Sequence, residues 1–364
     1  MHVRAIMRLC NNAIFAALLV GAALLASAQP RPEATSNTQT NPGQSPALTV
    51  DTDPVRSPES GPPSPLAPLQ KEGKQGYILR TNVEEVVLNA TVVSGNHLVQ
   101  NLTEDNFEIF EDGVKQNILS FQHTDLPVSM GLVIDNSGSM YQKRPAVNKA
   151  ALDLVEASNS QDQAFVVNFS DEAFIDQDFT SNIGKLRDGL SHIDSRGGTA
   201  LYDAVVASAD KLAEDAQRPK QVLVVITDGE DNASTLNLEQ TIRRVQQLSG
   251  PVIYSIGLLY GHEMDRGEVR RARRALELLS SETGGMAFFP RNLNEVDEIA
   301  AEVARDIRTQ YTLGYRSTKP STIPGFRRVL VVARAKGMGK LEVRTRTGYF
   351  PNVRSQQTAG AGQP

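Results

Sequence analysis

The chain has 364 residues, 40% of them apolar and 22% charged, with a formal net charge of −5 and a single cysteine. That apolar share excludes wholesale disorder, and at roughly 150 residues per domain the length suggests two folded units. Mild acidity speaks against a general nucleic-acid binder, and the lack of tryptophan with only 5% aromatic residues speaks against a stacking platform for single strands.

Residues 1–28 read as a secretory signal peptide. Arg4 and Arg8 form a positive start, residues 13–26 are an uncharged apolar run, and Ala26-Ser27-Ala28 supplies the small-residue cleavage pattern before Gln29. As a helix that run would rise only about 21 Å against a hydrocarbon core of about 30 Å, so cleavage is expected, with no transmembrane segment afterwards. Cys10 leaves with the peptide, and the expected mature chain then has no disulfide, no catalytic thiol and no cysteine-held zinc. Segment 29–76 holds ten of the nineteen prolines and reads as a disordered, extended spacer; the tail 352–364 reads alike. The expected address is export, to the periplasm or the medium.

The first flank, 77–123, has strand character. Val86, Leu88, Ala90 and Val92 share one face, and Glu111-Asp112-Gly113 is turn-like between further apolar runs. In 124–310 the pattern changes. Short apolar runs at 128–134, 164–169, 222–226, 252–259 and 286–289 alternate with helical periodicity near 146–157, 202–213, 238–248, 269–280 and 296–307. Strands buried on both sides and separated by helices predict an α/β domain, doubly wound and Rossmann-like, on a mainly parallel sheet. The last flank, 311–351, returns to strands. The two flanks together offer about seven strands, the size of an immunoglobulin-like β-sandwich. Charge supports their pairing: residues 77–123 sum to −5 and residues 316–354 to +9. The basic C-terminal strands would either serve that acidic flank or touch an anionic envelope surface.

Three segments sit where strands of the α/β block should end. They are Asp135-Asn136-Ser137-Gly138-Ser139, the loop Gly197-Gly198-Thr199, and Thr227-Asp228-Gly229. In open parallel sheets ligands bind beyond the carboxyl ends of the strands, where strand order switches. Two carboxylates and three hydroxyls (Asp135, Asp228, Ser137, Ser139 and Thr199) are hard oxygen donors, which favour Mg²⁺, Mn²⁺ or Ca²⁺ over zinc or copper. With hydroxyls as direct ligands the ion keeps positive charge and seeks an outside anion, such as an Asp or Glu carboxylate of a protein partner. Asp203 either supports this site from behind or faces solvent; Glu230 and Asp231 read as an exposed acidic loop or, as the alternative, as charges that tune a neighbouring cation, and Asn136 reads as a loop residue. The arginines at 266, 270, 271, 273 and 274 read as a solvated helix face, with Arg273 and Glu277 spaced for an i,i+4 pair, the alternative being contact with an anionic partner or envelope surface.

These segments resemble the metal-ion-dependent adhesion site of von Willebrand factor A domains, found also in integrin inserted domains. The family's Asp-x-Ser-x-Ser, later Thr and strand-terminal Asp are matched by Asp135, Ser137, Ser139, Thr199 and Asp228. The resemblance implies a Rossmann-like fold and divalent-cation-dependent protein binding. The flanks resemble a bacterial group of secreted proteins related to these domains, with Leu102-Thr103-Glu104-Asp105-Asn106-Phe107 before the metal motif.

Enzyme readings fare worse. A dehalogenase-type phosphotransferase would want an aspartate in place of Ser137. There is no Gly-x-Ser-x-Gly elbow or Walker loop, and His262-Glu263 lacks the second histidine of a zincin. The expectation is an exported, non-enzymatic, cation-dependent adhesion module. Its alternative is an envelope scaffold in which the metal only stabilises the fold.

Overall fold

The structure, a computed structural model, describes residues 49–50 and 85–351 apart from 96, 158, 193–194, 249 and 261–264. The signal peptide, nearly all of the spacer, residues 77–84, His262-Glu263 and the tail lie outside the described residues. In chain order the strand β1 (Thr49–Val50) comes first, followed in the first flank by β2 (Glu85–Ser94), β3 (His97–Leu98), β4 (Phe107–Glu111), β5 (Val114–Gln116) and β6 (Ile118–Gln122). The middle block runs β7 (Val128–Asp135), α1 (Arg144–Glu156), β8 (Gln163–Phe169), β9 (Ala173–Thr180), α2 (Ile183–Ser191), α3 (Leu201–Asp215) and β10 (Lys220–Thr227). It continues through α4 (Leu238–Gln247), β11 (Val252–Gly257), α5 (Arg266–Thr283), β12 (Ala287–Phe288) and α6 (Val296–Arg308). The last flank supplies β13 (Tyr311–Arg316), β14 (Arg327–Ala333), β15 (Glu342–Arg344) and β16 (Gly348–Tyr349).

The middle block is the doubly wound α/β domain. Its sheet has the order β1-β9-β8-β7-β10-β11-β12, parallel except where β9 runs against β8. All eight residues of β7 are buried, as a central strand covered on both faces requires. Met130, Leu132 and Ile134 of β7 pack towards α1, α2 and α6, whereas Val133 packs with Phe165 and Leu223 towards α3, α4 and α5. Two elements go beyond the sequence reading: the antiparallel β9 and the helix α2 behind it. Within the spacer, Thr49–Val50 pairs parallel with Phe174 and Ile175 of β9.

Both flanks fold as one β-sandwich around a common core that includes Leu88, Ile109, Tyr311, Leu313 and Val331. One sheet has the order β15-β2-β13-β6 with β3 on β2; the other is β16-β14-β4-β5. Nine strands among the described residues, several of two or three residues, therefore stand where about seven were expected; strands so short carry no readable alternation. First-flank and last-flank strands alternate in the first sheet and meet through the β14–β4 pairing in the second, so each sheet draws strands from both flanks. The β4–β5 hairpin turns on Asp112 (φ 48°) and Gly113 (φ 82°), both left-handed as a two-residue turn of this kind needs.

Charge joins the flanks as well. Glu111 and Arg327 are each about 2% exposed in the side chain and lie 3.5 Å apart. The Glu111 carboxylate also accepts the hydroxyls of Tyr315 (2.7 Å), Tyr349 (2.9 Å) and Ser317 (2.5 Å). At the rim, Lys319 pairs with Asp112 at 3.1 Å and Arg334 with Glu108. The sandwich meets the α/β domain through Asp306 of α6, which accepts hydrogen bonds from Arg344 (2.9 Å) and from the Tyr254 hydroxyl (2.7 Å). Lys220, 1% exposed at the start of β10, donates to the Ile307 carbonyl at 2.9 Å. Among the described residues no helix is long and apolar enough to cross a membrane.

Arg327→Met should strand the Glu111 carboxylate in the sandwich core and cost about 3 kcal/mol or more, read by urea denaturation. Burial lowers the Lys220 ammonium from its ordinary 10.5 to about 8. The folded chain therefore gives up this proton near pH 8 while the unfolded chain keeps it to about 10.5, so this group makes the fold more stable as pH rises. Between pH 7 and 9 the gain should be about 1 kcal/mol, and it should vanish from the pH slope of Lys220→Met.

Candidate metal centre

Strand order switches between β7 and β10. From β7 the chain moves outward through β8 and β9 on one side, then returns to lay β10 against the other. Ile226 pairs with Ile134, so the two strands end side by side, and Asp135 and Asp228 stand together at that end. Asp135 is fully buried. Its carboxylate accepts the Thr227 hydroxyl at 2.6 Å and the Ser137 amide at 2.8 Å. Burial pushes this carboxyl up to about 6, the hydrogen bonds from Thr227 and Ser137 oppose the rise, and the neighbouring Asp228 charge adds to it.

After Asp135 the chain winds into one short turn, Gly138–Met140, with Ser137 extended at its start and Met140 sunk completely into the core. This winding folds Ser139 back on Ser137, with their hydroxyl oxygens 3.2 Å apart, and Ser139 donates to Asp228 Oδ1 at 2.8 Å. Thr199 arrives from the side. Its loop needs glycine at 197, where φ is +79° and a Cβ would fall 2.2 Å from Asp171 Oδ2. Asp171 accepts the Gly198 amide at 2.7 Å, and Asn232 accepts the Thr199 amide at 2.9 Å. A Cβ on Gly229 would lie 3.4 Å from Thr199 Oγ1, which puts that hydroxyl against the Asp228–Gly229 turn.

The structure thus brings all five sequence-predicted residues to one place. Ser137, Ser139, Thr199 and Asp228 line an open cavity of about 390 Å³, and the buried Asp135 carries the turn that presents the serines. Neighbouring ligands of an octahedral ion with bonds of 2.0–2.1 Å lie about 3 Å from each other. The oxygen separations along Ser137–Ser139–Asp228, 3.2 and 2.8 Å, are of that size, so the donor set fits a small hard cation. Among the described residues no group of three or more His, Cys, Asp or Glu side chains is placed to hold a metal, so the hydroxyl-rich set is the candidate.

Sequence reasoning missed Lys143. Its ammonium lies 2.5 Å from Asp228 Oδ2 and 5.7 Å from the centre of the Tyr260 ring, inside the same cavity. The signal was four-residue spacing: the winding that begins at Gly138 runs on towards α1 and returns residue 143 over Ser139. Asp203 does not reach the cavity; it accepts the amides of Thr235 (2.8 Å) and Leu236 (3.0 Å) and so pins the loop after β10. Glu230 pairs with Arg271 at 2.7 Å, and Asp231 accepts the Ser234 hydroxyl at 2.5 Å. Asn136, read as a plain loop residue, is buried: its amide donates to Phe169 (2.7 Å) and its carbonyl accepts from Arg196 (3.1 Å). Arg273 and Glu277 pair at 3.7 Å on an exposed helix face.

Residues 130–230, from inside β7 to just past Asp228, match the family model described as von Willebrand factor type A domain. The α/β part of this chain accordingly contains a von Willebrand factor type A domain. Similar solved structures include an aerotolerance-related membrane protein of Bacteroides fragilis (18% identity over 50% of this chain and 98% of that one, TM-score 0.41). Another is the vWF domain of the type V pili tip protein Mfa5 of Porphyromonas gingivalis (14% identity, 50% of this chain and 96% of that one, TM-score 0.40). A third is a von Willebrand factor type A protein of Catenulispora acidiphila (13% identity, 74% and 75%, TM-score 0.42). No curated protein matches the sequence.

Asp171→Ala should free the Gly198 amide and loosen the loop that presents Thr199. Hydrogen exchange across 197–200 should speed up about tenfold while exchange in β7 stays unchanged.

Proposed function

We propose that this protein is an exported protein-binding module that takes its partner through a divalent cation, Mg²⁺ or Mn²⁺, with Ca²⁺ a third candidate. The observation that carries the reading is the hydroxyl–carboxylate set at the mouth of the β7–β10 crevice, open to solvent and spaced near 3 Å. Ser137, Ser139 and Thr199 would hold the ion directly, with Asp228 beside them. Asp135, whose two oxygens already receive the Thr227 hydroxyl and the Ser137 amide, would support it from beneath. When bound, the ion supplies a position of residual positive charge for a carboxylate oxygen. The chain's own part is to hold these oxygens in place before a partner arrives, so that little ordering cost falls on binding. An Asp or Glu side chain of a protein partner fits that position in charge and in hardness.

A binding role suits the site better than a catalytic one. Its serine hydroxyls pair with each other and with Asp228, not with an imidazole that would activate one as a nucleophile. The signal-like start of the sequence supports export.

The test joins metal uptake to capture. Wild type should bind about one Mn²⁺ in calorimetry and retain specific envelope proteins in Mg²⁺. Ser139→Ala, folded by circular dichroism, should lose both, as should wild type in EDTA. Recovery of the same proteins by both chains would defeat the adhesion reading. A metal-dependent melting temperature with unchanged capture would favour the scaffold.

A further inference from the structure

Lys143 stands where a cation is expected. Its ammonium meets Asp228 Oδ2 at 2.5 Å, while Asp228 Oδ1 takes the Ser139 hydroxyl at 2.8 Å. The Asp228 side chain is 0% exposed, and it shares the strand ends with the fully buried Asp135. Two carboxylates at one buried place repel unless something positive stands by, and a buried carboxylate without a partner is strongly destabilising. Among the described residues Lys143 is the one cation paired with Asp228.

The lysine is also able to leave. Its side chain keeps 19% exposure, it rises from the turn before α1 rather than from the sheet, and the Tyr260 ring 5.7 Å away offers its ammonium a second resting place. We propose that Lys143 is the resident counter-cation of Asp228, and that a divalent ion gains this carboxylate only by displacing it. This inference rests on the metal reading above and adds its regulation: Lys143 holds the cation-free site together and sets how tightly an ion is taken. Displacement has a second consequence. A displaced ammonium at the cavity wall leaves a positive group beside the position offered to a partner carboxylate.

The experiment uses the full mature chain and Mn²⁺ alone as probe, with affinity read by calorimetry and free Mn²⁺ by electron paramagnetic resonance. Lys143→Gln should bind Mn²⁺ about tenfold more tightly than wild type, because one positive charge next to the ion is gone. In EDTA it should melt at a lower temperature than wild type, and Mn²⁺ should raise its melting temperature by more. Lys143→Arg keeps the charge and should bind Mn²⁺ no more tightly than wild type, which preserves the test should the glutamine variant fail to fold. Equal or weaker Mn²⁺ binding by Lys143→Gln, or tighter binding by Lys143→Arg, would overturn the inference and leave the metal site standing. Absence of Mn²⁺ uptake by wild type and both variants would overturn the inference and the metal reading together.

Discussion

The parallel pairing of β7 with β10 at the centre of the sheet sets the chemistry of this protein. It ends two strands in register and so places two carboxylates, Asp135 and Asp228, side by side and out of water. Like charges in such a place need compensation, and the surroundings supply it in layers. Asp135 receives a hydroxyl from the partner strand and an amide from its own turn; Asp228 receives the Ser139 hydroxyl and the Lys143 ammonium. Neither dipoles nor one ammonium remove both negative charges, and that remaining charge is what the proposed divalent cation would offset.

A second pairing of opposite charge holds the sandwich, on different terms. Glu111 and Arg327 come from flanks separated by the whole α/β domain, and the pair is surrounded by hydroxyl donors and by loop carbonyls that accept from the two terminal guanidinium nitrogens. Those carbonyls belong to Lys319 and Pro320, so the arginine also shapes the loop that leads into β14. With Lys319 on Asp112, Arg334 on Glu108 and Arg344 on Asp306, four of the C-terminal bases are engaged within the molecule. Three of these pairs, on Glu108, Glu111 and Asp112, join the acidic first flank to the basic last flank beside the β4–β14 pairing.

What could be read from sequence followed from how much each element is buried. The central strands are continuous apolar runs because both faces are covered, and their ends were legible within two residues. The five candidate residues could be picked out because each ends or follows such a strand or precedes a helix. By contrast β9, with Asp176 and Asp178 in a half-exposed strand, shows no clean alternation, and α2 carries two glycines in nine residues. Lys143 was passed over for another reason. A lysine between a loop and a helix looks like solvent-exposed charge, and only the turn at Gly138–Met140 directs it back onto Asp228.

The topology also decides what each end of the α/β domain can do. The chain leaves the sandwich at the end of β6 and returns at the start of β13, and these strands are neighbours, with Thr312 opposite Gln122. At the same crossing Arg308 grips Asp125 at 2.8 Å. The α/β domain is therefore held at the amino ends of its central strands, where Lys220 caps the end of α6 and Tyr254 and Arg344 share Asp306. The candidate metal centre lies at the carboxyl ends of the same strands. Seven residue steps of β7 separate Val128 from Asp135, about 23 Å at 3.3 Å per residue. Charges in the sandwich thus act on how firmly the α/β domain is carried, at the opposite ends of these strands from the candidate metal centre.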